Sequence, residues 1–318
     1  MLIGAMGSPD PYGMQLNGMG RGTTSTSKCV IVSPSERGGV DVDYLFAQVA
    51  VDRPHVDWTR SCGNLAAAAA LYAMEEGLVQ GPGRGQVRVA MWQVNRGQQI
   101  QAAVDGSTGQ VWLEFQSPGG SHGRGLLPTG EVMTRLTVPG LGGVEVSVVD
   151  AANAFLFVRG ADLGATLVSP VDLVGLLARA AVLRRAAAIA SGLPVDGSSP
   201  RVLIVDPPQD YVDNGGHQVR CADIDIVARA TAGRRLHHAL PVTAAIATAV
   251  ARAIPGSLVA RIAAEGKTGT EVRVGHPSGI ATVRSEVVAT DDGWTAVRAE
   301  FGLTARRLMT GVVSLPRG

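Results

Sequence analysis

Apolar and polar positions along the chain fall into two kinds of pattern. Short runs such as KCVIVS (28–33) and VDYLFAQVAV (42–51) are β-branched or partly alternating and predict strands. More strands are expected near 86–94, 98–104, 110–116, 130–137 and 143–149. Set among them is NLAAAAALYAMEEGLV (64–79), apolar nearly all round except at Glu75 and Glu76, which predicts a buried helix. The pattern then returns. NAFLFVRG reads as a strand and residues 171–191 as a long helix. PRVLIVD and CADIDIVARA read as strands, PVTAAIATAVARAI as a second Ala-rich helix, and strands follow near 270–274, 280–289 and 294–300.

Each half thus places a small-residue helix among many strands, in no βαβ alternation. A helix that is apolar on every side must be wrapped, and only sheet is abundant enough to wrap it. The expected fold is α+β, with two similar domains, 1–148 and 149–318, each a curled, mostly antiparallel sheet around a central helix. The last residues are able to return to the first domain, and a cleft between the halves is the default binding site.

Composition narrows the class. At 318 residues, 46% hydrophobic and 17% charged, the chain can build a large core, and with only 4% aromatics that core must be Ala, Val, Leu and Ile. A net charge of +1 gives no electrostatic case for nucleic acid or membrane. No apolar run is long enough to span a bilayer, the start lacks a signal-peptide pattern, and Cys29, Cys62 and Cys221 are too scattered for a disulfide framework. A cytoplasmic location is expected.

The basic residues say more. Of 28 Lys plus Arg, only Lys28 and Lys267 are lysines. Arginine keeps its proton near neutral pH, whereas a desolvated lysine can lose it. Lys267 sits in the turn-like EGKTGT and reads as a solvated loop lysine. Lys28 leads into an apolar strand and reads either as a functional amine or as a strand-edge residue.

Several chemistries are excluded. The six histidines form no metal-spaced cluster, and no Gly-rich run has dinucleotide or Walker spacing. There is no GxSxG. No metal and no cofactor are expected. SCGN (61–64) is different, because it opens a helix. Free amides and the helix dipole there favour a carboxylate and stabilise a thiolate. Gly63 admits a ligand to the backbone and Asn64 adds a donor. The same residues also read as a small buried Cys62 behind a Ser61 cap, and by themselves leave both readings open. VGHPSGIA (274–281) offers His276, Ser278 and the amides around Gly279, or simply a tight turn.

Together GSPDPYG…LNGMGRGTTSTSK, DYLFAQVAVD, DWTRSCGNL, VDAANAFLFV, VGHPSGI and TARRLMTGVV resemble the PrpF-like isomerases, from about residue 4 to the C-terminus. These include 2-methylaconitate cis–trans isomerase, methylitaconate isomerase and 4-oxalomesaconate tautomerase. The resemblance implies the diaminopimelate-epimerase fold and a cofactor-free proton transfer in an unsaturated tricarboxylate. It implies Lys28 and Cys62 as the catalytic pair. Substrate contacts are expected from Ser27, Ser61, Gly63, Asn64 and Leu65, and from Gly275, His276, Ser278 and Gly279. STSK is closer to the methylaconitate and methylitaconate members than to the tautomerases. The expected partner is a small di- or tricarboxylate, and a homodimer is among the assemblies allowed. Family members usually begin a few dozen residues earlier, so an N-terminal strand region is expected to be missing. That departure motivates a rival expectation, a non-catalytic tricarboxylate-binding or accessory protein.

Overall fold

The structure, a computed structural model, describes every residue except 59–61, 80–84, 96, 169–171, 197–198, 233–234, 264–270, 292 and 316–318. Lys267 and Ser61 therefore lie outside the described residues. The chain divides into two compact units, Met1–Leu113 with Leu303–Gly318, and Glu114–Gly302.

The first unit contains helices α1 (Leu2–Met6) and α2 (Gly63–Glu75). Its strands are β1 (Lys28–Pro34), β2 (Val42–Val49), β3 (Val56–Asp57), β4 (Gln86–Gln93), β5 (Gln98–Asp105) and β6 (Gln110–Gln116), the last crossing the division. Their order is β1-β2-β4-β5-β6, with β3 beside β2. The β2–β4 pair is parallel, whereas β1–β2, β2–β3 and β4–β5 are antiparallel. Strand β4 buries Val87, Val89 and Met91, and β5 buries Ile100, Ala102 and Val104, every second residue. One covered face explains the alternation, since α2 packs on β1, β2, β4 and β5.

Helix α2 buries Ala66, Ala67, Ala69, Ala70, Leu71 and Ala73. A methyl contributes only roughly 0.8 kcal/mol on burial, so alanines serve chiefly by letting strands come close. The expectation of a fully buried helix needs correction. Asn64, Ala68, Tyr72 and Glu75 form an exposed stripe at three- and four-residue spacing. Alanine is apolar enough to look buried at every position and small enough to leave one side open at little cost. The helix is also shorter than expected, stopping before Gly77, whose left-handed φ of 69° ends the turn.

The second unit holds β7 (Thr134–Val138), β8 (Gly142–Ala151), β9 (Asn153–Arg159), β10 (Arg201–Asp206), β11 (Tyr211–Val212) and β12 (Gln218–Val219). It continues with β13 (Ile226–Ala232), β14 (Arg235–Leu236), β15 (Glu271–His276), β16 (Gly279–Thr290) and β17 (Gly293–Thr304). Helices α3 (Leu173–Ala190), α4 (Val242–Ala253) and α5 (Leu258–Ile262) complete it. The main order is β17-β16-β15-β13-β10-β9-β8-β7. Helix α4 touches β15 and β16 and also β8 and β9, with β10 and β13 between them in that order, so the sheet curves around it. Nine of its residues are buried, Val242 and the run Ala244–Ala251. Helix α3 packs against β7 and β10. With helices on both faces, β9, β10 and β13 are buried almost continuously.

The fold is thus α+β and dominated by sheet. The expected join at 148/149 falls inside β8, which pairs with β9 from Ser147 to Ala151. The chain passes between units within β6 instead.

Candidate active site

Lys28 opens β1 and Cys62 caps α2, and the two meet: Lys28 Nζ donates to Cys62 Sγ at 3.7 Å. Both residues are partly exposed. Cys62 adopts extended geometry (φ −141°), its carbonyl accepts from Ala66 N at 3.0 Å, and no side chain caps the first turn. The amides at Gly63, Asn64 and Leu65 therefore face outward from the helix start beside the thiol, an arrangement suited to a carboxylate. Gly63 and Leu65 are partly buried and Asn64 is exposed. The N-cap position of this helix is occupied by Cys62.

The lysine is braced from behind. Ser27 is fully buried, and its hydroxyl shares its proton between Gln15 Oε1 at 2.7 Å and the Thr23 carbonyl at 2.8 Å. Gln15 Oε1 also accepts from Gly22 N, and Gln15 Nε2 donates to Ser8 Oγ. Gln48 sits opposite Lys28 in the β1–β2 register, and its Nε2 donates to the carbonyls of Ser27 and Thr24, each at 2.9 Å. Ser27, expected to contact substrate, is instead part of this scaffold. Its neighbour in the GMGRG loop, Gly18, must be glycine because a methyl there would collide with the Gly7 backbone. Gln15 and Gln48 were not evident in the sequence, since an isolated glutamine carries no periodic signal.

Below the pair, Tyr44 is buried in β2; burial first, and the Cys62 charge second, push its phenol up, so it stays neutral. The other two thiols are held as thiols. Burial pushes Cys29 up, and Asp210, through a hydrogen bond and its charge, does the same for Cys221.

The GHPSG residues lie in the second unit, as the two-residue hairpin between β15 and β16, with His276 paired to Gly279 at φ 115°. Ser278 N donates to His276 Nδ1 at 3.2 Å, and Ser278 Oγ to the His238 carbonyl at 2.6 Å. The Tyr211 hydroxyl lies 2.8 Å from the His276 carbonyl and 2.9 Å from that of Gly279. Burial, then the Arg229 charge, pushes the His276 imidazole down to about 4, so it is neutral. Gly275 is buried. Among the described residues no helix is long and apolar enough to cross a membrane.

With this geometry in place, comparison with known proteins is decisive, because the PrpF protein family profile matches residues 1–316. The chain belongs to the PrpF family. A 2-methyl-aconitate isomerase of Shewanella oneidensis is 37% identical over 352 residues, spanning 100% of this chain and 88% of that protein. The crystal structure of a methylitaconate-delta-isomerase superposes with a TM-score of 0.81 at 29% identity, covering 98% of this chain and 87% of that one. A hydroxyproline epimerase of Agrobacterium vitis shares the fold alone, with a TM-score of 0.56 at 13% identity, over 92% of this chain and 76% of that chain. The PrpF chain thus carries the epimerase-like architecture expected from its motifs.

Proposed function

We propose that this PrpF chain is a cofactor-independent isomerase of an unsaturated tricarboxylate, 2-methylaconitate in the first instance, working through Lys28 and Cys62. The observation that carries the reading is their 3.7 Å contact at an uncapped helix start. The 37% identity to a 2-methyl-aconitate isomerase supports the substrate. In its neutral form the Lys28 amine takes a proton from a carbon next to the double bond. The electron pair left behind delocalises through the alkene into a carboxylate, giving a dienolate. The amides of Gly63, Asn64 and Leu65 hold that developing charge more tightly than the ground state, which lowers the barrier. Bond order at the former double bond falls, so it can rotate. The proton then returns from Lys28 or from Cys62, restoring the alkene in the other geometry or at the neighbouring position. Proton count and electron count are unchanged, so no co-reactant is required.

The test is proton exchange. The chain is incubated with 2-methylaconitate, methylitaconate and 4-oxalomesaconate in heavy water and followed by NMR. Deuterium uptake with isomerisation of 2-methylaconitate, abolished by Lys28→Ala, is expected. Preferred turnover of either other acid would reassign the substrate. Tight binding of all three acids without exchange would overturn the enzyme reading in favour of a binding protein.

A further inference from the structure

Strand β2 carries β1 along one edge and shares its other edge between two strands. Strand β4 pairs there from Val42 to Tyr44, and β3 pairs there at Gln48 and Val49. Among the described strands none reaches Phe46 on that edge, and a side chain fills the gap. Asn95, just past the end of β4, accepts from Phe46 N at 2.8 Å and donates to the Phe46 carbonyl at 2.8 Å. Its amide thus extends the ladder where the main chain has turned away.

The same amide holds a second segment. Asn95 Nδ2 donates to the Trp58 carbonyl at 2.6 Å, and Asn95 Oδ1 accepts from Gln93 Nε2 at 2.6 Å. A primary amide offers two lone pairs and two N–H groups, and all four are used. A main-chain N–H on one side and two carbonyls on the other also fix which end is oxygen. Trp58 directly follows β3 and stands four positions before Cys62. Helix α2 is located independently, by its buried alanines packed on β1, β2, β4 and β5. Cys62 itself precedes the helical turns, in extended geometry (φ −141°, ψ 112°). The direction of its thiol therefore depends on how the chain arrives from Trp58.

We propose that Asn95 is a positioning residue for Cys62: by tying the Trp58 carbonyl to β2, it sets where the incoming chain presents the thiol to Lys28. The activity arm of the test rests on the isomerase reading, and the thiol arm does not. Aspartate at 95 would keep the size of the side chain but turn a carboxylate oxygen toward two carbonyl oxygens, so the tie would open.

The experiment compares the full chain with Asn95→Asp. Iodoacetamide alkylation at pH 7 is followed thiol by thiol by mass spectrometry, with Cys29 and Cys221 as internal controls. An ammonium beside a thiol favours the thiolate, so Lys28→Ala slows Cys62 in the parent. In Asn95→Asp the Cys62 rate should already be several-fold lower, the other two thiols unchanged, and added Lys28→Ala should make little further difference. With 2-methylaconitate, kcat should fall by about 10-fold to 100-fold. KM should stay within a few-fold, because the α2 amides keep their place. If Asn95→Asp does not fold, Asn95→Ala removes the tie without the opposed oxygens and is read in the same way. A Cys62 rate that still depends fully on Lys28, equal changes at all three thiols, or a raised KM with unchanged kcat would overturn the proposal. If the parent turns over none of the acids, the isomerase reading fails and the thiol arm alone decides this one.

Discussion

Lys28, the proposed base, opens a strand whose preceding turn is braced by Ser27, Gln15 and Gln48. Lys28→Ala is expected to cut kcat/KM by about 10²–10⁴, the usual contribution of a positioned acid–base group, with an unchanged circular dichroism spectrum. Gln48→Leu removes the side-chain amide that donates to the Thr24 and Ser27 carbonyls, of which the Ser27 carbonyl keeps its bond from Val49 N at 2.9 Å. Losing the donor to a part-buried carbonyl costs about 1–3 kcal/mol, so urea unfolding should shift to lower concentration and kcat should fall with it. His276 gives a pH prediction. Its folded pKa of about 4 lies below the ordinary 6.5, so both folded and unfolded chains are uncharged there at pH 7. Between pH 6.5 and 4 the unfolded chain takes up a proton that the folded chain refuses, and stability falls by on the order of 3 kcal/mol. Urea midpoints at pH 7 and pH 4.5 should show that loss in the parent and a smaller one in His276→Gln. At this scale Lys28 was legible from the scarcity of lysine and Cys62 from its place before a helix. Gln15 and Gln48 were not, because their role exists only once β1, β2 and the N-terminal loop are brought together.

At the scale of elements, α2 is anchored at both ends. Its N-terminus carries Cys62, and its last turn is gripped by Arg307, which bonds Glu75 at 2.6 Å and Glu76 at 2.7 Å and lies 5.7 Å from the centre of the Tyr72 ring. The stripe that contradicts full burial is thus partly occupied by the C-terminal segment. Arg307→Ala should speed hydrogen exchange in the last turn of α2 more than near Cys62, measured amide by amide, and should leave turnover within a few-fold. Equal acceleration along the helix would argue against a local grip. The long elements were readable because period and β-branching repeat over many residues. The five-residue helices α1 and α5 complete too few turns to show a period.

At the scale of the molecule, the first unit is not continuous in sequence, since Leu303–Gly318 returns to Met1–Leu113. Within it, Ala305 N donates to the Gly109 carbonyl at 2.8 Å. Truncation after Gly302 should therefore lower the melting temperature of the chain and reduce proton exchange, because it removes both that bonding and the Arg307 grip. The sequence by itself determined the long strands and the alanine-rich helices, which follow from local periodicity, while the pairing of a scarce lysine with a helix-start cysteine came from the family resemblance. Only the tertiary structure decided that Lys28 and Cys62 lie 3.7 Å apart, that Ser27 faces inward, that one side of α2 stays open and that the Asn95 amide joins Trp58 to β2. Each of these depends on contacts between residues far apart in the chain, which no local pattern encodes.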